Sequence, residues 1–301
     1  MPLQLRNARL WILACLCYAV IPVGQALAKG ATSGPILWVV QRGGAKVYIF
    51  GFSDAKDQSW FTPTVERAFD QSRELWIETP PPGQPEEAPP PSPQELGYDA
   101  PRSLFEILGP QLTARTLAAA KRYGVTRESL EHTRPWRAYF VLNSSYWAHR
   151  AQANESKMSD MPDAILTERA VAAGKAIKGE SPTSKDIRHH FSEMSEQAQR
   201  ERLEMLLDYY DDDQKGLLTN DYDWIEGRTS DRLIERMRVK QPALYQVEHV
   251  QRNKWWAAQI SKLLSDGGVY FVLVGQNHTL GPDSILKNLE DLGITPQKVI
   301  D

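Results

Sequence analysis

The sequence predicts an α/β protein with one mixed sheet, built from N- and C-terminal strands, and a largely helical middle insertion. Two β-rich runs lie near the N-terminus, at 36–40 and 46–50. A third run, at 269–274, is apolar without alternation, which is typical of a strand buried on both faces. Between these runs, apolar residues at helical spacing predominate from about 103 to 265.

The N-terminal elements follow from local signals. Gly43 and Gly44 lie between the first two runs, where a tight hairpin turn is predicted. A helix is predicted to begin at Pro63, because proline is well suited to the first turn of a helix. A short buried strand at 75–77 follows and ends at Glu78.

The remaining elements are predicted in the same way. Eight of the twenty prolines lie between 80 and 93, which predicts an extended surface loop. The strongest amphipathic helix covers 250–264, and a shorter helix near the C-terminus ends at Gly293. A last short strand is predicted at 298–300.

Composition and the N-terminus restrict the function classes. The 301 residues carry a formal charge of −3, so no basic balance indicates nucleic-acid binding. Two arginines precede an apolar run at 10–23 and an Ala-Leu-Ala triplet, which predicts a signal peptide at 1–28. Cleavage would leave a single domain at 29–301, exported to the periplasm or secreted, with no transmembrane span. It would also remove both cysteines, which excludes thiol chemistry.

Three predicted strand ends carry polar side chains that suit a metal or acid–base site. Asp54 and His278 each follow a strand-ending glycine, Gly51 or Gly275, by three residues, and Glu78 directly follows a strand. Ligands of open α/β sheets bind at the carboxyl ends of the strands, and glycine lets the chain turn sharply there. One imidazole and two carboxylates could hold a divalent ion or transfer protons. The histidine could equally be an ordinary hydrogen-bonded loop residue.

Other polar groups favour simpler interpretations. His189 and His190 begin a polar helix and are expected to be exposed. Asp208 and the acidic run at 211–213 do not match a calcium-loop pattern, so a solvated acidic turn is predicted. The sequence contains no G-x-S-x-G, H-E-x-x-H or P-loop pattern, so serine hydrolases, zincins and NTPases have no support.

The order of motifs along the chain resembles that of a known family. Residues 270–299 contain a buried strand, His278 at its end, and a helix closed by a glycine. Arg252 and Asn253 precede them on a helix, and Glu78 ends an earlier helix–strand unit. In this arrangement the chain resembles the TraB/PrgY/GumN family, which is related to the Tiki metalloproteases, over nearly its whole length.

One motif departs from the family pattern. The family carries two glycine-x-x-histidine motifs, and the late one is matched by the stretch that ends at His278. In the early one, which begins at Gly51, Asp54 stands where the histidine is expected. A carboxylate favours harder cations, so the resemblance implies either an altered metal preference or a lost site. Glu180 lies one residue from the place of the family's mid-chain glutamate.

The resemblance also implies roles for individual residues. His278 would be a metal ligand or a general acid–base, and Glu78 a ligand or the base that activates water. Asp54 would be a substitute ligand. Arg252 would stabilise an oxyanion or form a structural salt bridge, and Asn253 would cap or position a loop. The implied cofactor is a divalent ion, manganese, zinc or cobalt.

Two functions are therefore expected. The first is an exported metal-dependent hydrolase, most similar to a peptidase, with its site at the strand ends. The alternative is a catalytically inactive relative that binds a peptide, pheromone or glycan at the cell envelope. In both cases the partner is a peptide or an envelope ligand.

Overall fold

The structure is a computed structural model of the chain. It describes residues 34–53, 55, 57–79, 91–153, 161–180, 184–215 and 223–300. The predicted signal peptide at 1–28, most of the proline-rich segment and the candidate ligand Asp54 lie outside the described residues.

One six-stranded mixed sheet forms the centre of the described chain, as the sequence predicts. Its strands are β1 Leu37–Arg42, β2 Ala45–Phe52, β3 Glu74–Ile77, β4 Ala176–Gly179, β5 Val269–Gly275 and β6 Gln297–Lys298. Their order across the sheet is β4-β3-β5-β2-β1-β6. The strands β4, β3, β5 and β2 are parallel, so their carboxyl ends lie at one edge. β1 runs antiparallel to β2, and β6 antiparallel to β1.

Eleven α-helices occur in the described part of the chain, most of them between β3 and β5. They are α1 Pro63–Gln71, α2 Leu104–Arg122, α3 Arg127–Leu130, α4 Pro135–Gln152, α5 Pro162–Ala172, α6 Ser184–Glu193, α7 Glu196–Gln214, α8 Arg232–Lys240, α9 Pro242–Tyr245, α10 Arg252–Asp266 and α11 Ile285–Asp291. A π-helical turn at Gln246–Gln251 joins α9 to α10, and a 3₁₀ turn at Gln276–Thr279 follows β5. None of the helices described is both long and apolar enough to cross a bilayer.

The N-terminal hairpin confirms the prediction from the glycine pair. Arg42 pairs with Ala45, so β1 and β2 are joined by a two-residue turn. Gly43 has a φ of 58°, a left-handed conformation that costs glycine little because it has no Cβ.

Strand β4 is the element that the sequence did not predict. It lies within the region expected to be helical, at the edge of the sheet beside β3. Its four residues, Ala-Ile-Lys-Gly, are half-buried or exposed and contain one β-branched residue. A strand this short and this exposed has no strong pattern of its own, because its conformation depends on pairing with β3.

Helices cover both faces of the sheet, which explains why β5 is apolar throughout. On one face, Phe271 and Leu273 of β5 pack with α1 and α5. On the other, Val272 and Val274 pack with α10 and α11, including Trp256 of α10. A strand between two helical layers buries both sets of side chains, as its uninterrupted hydrophobicity predicts.

A separate apolar cluster joins α2, α4 and α7 in the middle of the chain. Gly109, with φ 74°, interrupts α2 just before Pro110. The acidic residues expected in a solvated turn lie in helix α7 instead, so that prediction is wrong. Their partners explain this, because Arg115 donates to Asp208 and Asp211, at 2.7 and 2.8 Å.

Candidate functional site

The parallel strands bring the predicted residues to one edge of the sheet. Glu78 directly follows β3, and Glu180 directly follows β4. His278 lies in the 3₁₀ turn after β5. The sequence argument for this edge holds for Glu78 and His278, which the structure places 3.6 Å apart, from Oε2 to Nε2. Asp54, which would follow β2, is outside the described residues.

Two glycines at the strand ends make room for these side chains. A Cβ on Gly275 would lie 3.3 Å from Glu78 Oε1. A Cβ on Gly51 would lie 3.1 Å from the Cα of Gln276 and from the Thr279 side chain. Both glycines are therefore needed for close approach of the turn to the neighbouring strands.

Asn253 fixes the tautomer of the buried His278. The Asn253 amide nitrogen donates to the backbone oxygen of Asp283 at 2.8 Å, so its amide oxygen faces His278. That oxygen lies 2.5 Å from His278 Nδ1, which therefore carries the proton in the neutral ring. In the neutral ring, His278 Nε2 therefore carries the lone pair, and it lies 3.6 Å from Glu78 Oε2. A histidine that donates from one ring nitrogen and offers the other is the usual form of a metal ligand or general base.

Glu78 is bound at both carboxylate oxygens. Oε1 accepts a hydrogen bond from the Gly275 amide at 2.6 Å, and Oε2 accepts one from Arg252 Nη2 at 2.7 Å. Burial raises the pKa of Glu78, but the neighbouring His278, the charge of Arg252 and the Gly275 hydrogen bond hold it well below its ordinary value. Glu78 is therefore ionised at neutral pH.

Arg252 joins three carboxylates from different parts of the chain. Its Nη2 lies 2.7 Å from Glu78 and 2.8 Å from Glu180, and its Nη1 lies 3.0 Å from Glu248. Trp256 also donates to Glu180 at 3.1 Å. Burial lowers the pKa of Arg252, but the three glutamates raise it well above its ordinary value. Of the two roles left open by the sequence, these contacts support the salt bridge directly.

Glu248, which contacts Arg252, belongs to a second group of buried charges. The sequence did not predict this group. Glu248, only 8% exposed, contacts Arg202 at 3.0 Å and His190 at 2.9 Å. Burial raises the pKa of Glu248, but Arg202, His190 and Arg252 outweigh it and hold the pKa far below the usual range. The expectation that His190 is exposed is wrong, because it is half-buried against this carboxylate. The spacing of Glu248 four residues before Arg252 was the available signal.

His249 is a further histidine that had no motif to identify it. Its ring is stacked on that of His278, with centroids 6.2 Å apart, and on Tyr245 at 5.1 Å. Burial, followed by the neighbouring His278, lowers the pKa of His249 to about 4. His249 is therefore neutral near pH 7. Its Nε2 is buried and has no hydrogen-bond partner among the described residues.

His278 and Glu78 are the two described side chains at this edge whose spacing can be compared with that of metal ligands. Two ligands of a tetrahedral zinc ion lie about 3.4 Å apart when each bond is about 2.1 Å. The 3.6 Å between His278 Nε2 and Glu78 Oε2 is close to this span. Within 34–53, 55, 57–79 and the later described ranges, no group of three or more His, Cys, Asp or Glu side chains is spaced to hold an ion.

Three comparisons with known proteins were made, and one of them, with protein-family models, finds a match. A search of curated proteins finds no match, and a search of solved structures also finds none. The model of the TraB/PrgY/gumN family matches residues 36–298, which covers every described element from β1 to β6. The chain therefore belongs to the TraB/PrgY/gumN family.

Proposed function

We propose that this protein is an exported metal-dependent hydrolase with a peptidase-like site at the carboxyl ends of β3 and β5. The observation that supports the proposal is the pairing of His278 Nε2 with the ionised carboxylate of Glu78, 3.6 Å away. A lone pair and a negative charge at this separation attract a divalent cation. Such an ion, when bound, lowers the pKa of a coordinated water and polarises a carbonyl group.

The chain's own residues have distinct roles in this proposal. His278 and Glu78 would hold the ion, and Asp54, which lies outside the described residues, would supply a third ligand. Asn253 keeps the His278 lone pair on Nε2, since its amide oxygen accepts a hydrogen bond from Nδ1–H. Arg252 keeps Glu78 ionised and in place through its 2.7 Å hydrogen bond. Arg252 is thus a positioning residue for the ligand rather than a group that contacts the substrate.

One observation favours the alternative function. Both oxygens of Glu78 already accept hydrogen bonds, from Gly275 and Arg252. Together with aspartate in place of the first family histidine, this suits an inactive relative. That protein would keep the fold and bind a peptide, pheromone or glycan at the cell envelope.

A calorimetric titration separates the two proposals. The protein is titrated with manganese, zinc and cobalt, beside His278→Ala and the matched control His189→Ala, which removes an exposed histidine. We expect binding of one ion per chain that is lost in His278→Ala and kept in His189→Ala. Binding that is absent, or that ignores His278, refutes the metal site and favours the inactive relative.

Activity requires a second measurement. If the ion binds, a peptide library is incubated with the loaded protein and with Glu78→Gln, which keeps the shape of the side chain and removes its charge. We expect metal-dependent cleavage by the wild type and a loss of at least about a hundredfold in the variant. Equal cleavage by both proteins would show that the charge of Glu78 is not needed for catalysis.

Export is tested on the protein made by its own cells. N-terminal sequencing of the protein recovered outside the cytoplasm is expected to begin at Lys29, the residue after the Ala-Leu-Ala triplet. A protein that keeps its first 28 residues refutes signal cleavage.

A further inference from the structure

A pocket of about 110 Å³ lies at the same edge of the sheet as Glu78 and His278. Gln276 and Thr279, which line it, begin and end the 3₁₀ turn that contains His278. Gly51, at the end of β2, also lines it. The pocket and the candidate metal ligands are therefore built on the same turn and on neighbouring strands.

The walls of the pocket are partly apolar and partly polar. Ile36, Trp38, Trp224 and Leu280 contribute the apolar part. A cavity of about 150 Å³ in another protein binds one benzene molecule, so a pocket of this size suits one aliphatic side chain. Trp38 and the nearly fully buried Trp224 provide part of the apolar surface that such a side chain would contact.

The pocket also carries one cation. Lys298, in β6, lies beside Trp38 of β1, and its Nζ is 5.4 Å from the centroid of the Trp38 ring. Within the part of the chain that the structure describes, the ring is the partner of this ammonium, and no carboxylate forms an ion pair with it. An anion that entered the pocket would therefore find an ammonium that has no ion-pair partner among the described residues.

We propose that this pocket binds the C-terminal residue of a peptide, with an aliphatic side chain among the tryptophans and the α-carboxylate on Lys298. The inference rests on the proposed peptidase-like function and names its substrate class. A single cation beside a space for a single side chain matches a chain end, which carries both groups on one carbon. An internal residue has the side chain and lacks the charge.

Two peptides that differ in that charge test the inference. Acetyl-Gly-Leu and its C-terminal amide are titrated calorimetrically into the protein, in chelator so that no metal contributes. We expect the acid to bind about five- to tenfold more tightly than the amide, as one charge-assisted hydrogen bond provides. Equal affinity for the two peptides overturns the proposal.

Variants of the residues that line the pocket test whether the peptide binds there. Lys298→Met keeps most of the length of the side chain, and we expect it to reduce the affinity for the acid to that for the amide. Lys262→Met, which removes an exposed lysine of α10, is the matched control and is expected to keep the preference. Thr229→Phe, which places a bulky group at an exposed lining position, is expected to reduce the binding of both peptides. Retention of the acid preference in Lys298→Met overturns the proposal.

The same titrations separate this inference from the proposed function. His278→Ala is expected to lose the metal and to bind acetyl-Gly-Leu as the wild type does. Metal binding without any preference for the acid refutes the pocket assignment alone. Peptide binding through Lys298 without metal binding refutes the hydrolase and retains the pocket.

Discussion

Replacement of Glu248 by glutamine tests whether the buried charges of Glu248 and Arg202 stabilise the fold. The Glu248 carboxylate is the ion-pair partner of Arg202, whose side chain is only 15% exposed. Arg252 would keep two other carboxylates, Glu78 and Glu180, after the change. The cost therefore comes mainly from Arg202, which would be left as a buried and unpaired charge.

The magnitude follows from the burial of this pair. Removal of one partner of a buried ion pair costs about 3–5 kcal/mol. Glutamine keeps one acceptor oxygen, so we expect Glu248→Gln to lower the free energy of unfolding by about 3 kcal/mol. The assay is urea denaturation, in which the midpoint should fall with the m-value unchanged. Glu235→Gln removes one half of an exposed ion pair with Arg238 and is expected to leave the midpoint unchanged.

A double variant separates the ion pair from general disruption. Arg202→Met keeps an apolar stem against Tyr139 and Phe191, which the guanidinium now covers. In the double variant with Glu248→Gln, the unpaired guanidinium of Arg202 is also absent. The double variant should therefore lose less free energy of unfolding than the two single variants lose in sum. Strict additivity, or a midpoint shift for Glu248→Gln no larger than that of Glu235→Gln, refutes the reasoning.

Three other predictions concern stability. His249 titrates near 6.5 when unfolded and near 4 when folded, so the unfolded state binds its proton first as the pH falls. The wild type should therefore lose about 3 kcal/mol between pH 6.5 and 4, and His249→Phe should show a smaller loss in denaturation curves measured across that range. Gly97→Ala places a Cβ 2.7 Å from the Trp136 ring at a positive φ, and it should lower the free energy of unfolding by about 2–4 kcal/mol. Gly124→Ala has a similar φ of 72° but open space around it, so it should cost only about 1 kcal/mol. Equal urea midpoints for the two variants would contradict this. Phe271→Ala, at a fully buried position of β5, should cost about 3–5 kcal/mol by the same assay, and a cost below about 1 kcal/mol would show that the face of the strand toward α1 and α5 is not buried.

The elements that the sequence predicts well are those with a strong local signal. The glycine pair specifies the β1–β2 hairpin, and unbroken hydrophobicity identifies β5 as a central strand. The C-terminal helix α11 ends before Gly293, which has a φ of 73°. Each of these depends on neighbours within a few residues, so no knowledge of the rest of the fold is needed.

The candidate site was predictable in part for a different reason. Glu78 and His278 could be placed together because parallel strands end at a common edge. The contacts of Glu248 with Arg202 and His190 could not be predicted in this way. They depend on how separate helices pack together, and no short stretch of sequence indicates that packing. Strand β4 was missed for a related reason, because its pairing with β3 determines its conformation.

The pairing of β2 with β5 has a consequence for how the protein is made. Lys46 pairs with Val269, and the last strand, β6, adds to β1 at the other end of the chain. The sheet therefore cannot close until almost the whole polypeptide has been synthesised. Contacts between such distant segments form slowly. The edge of β2 that faces β5 therefore stays unpaired for most of the synthesis, and an unpaired strand edge is a place where other chains can associate.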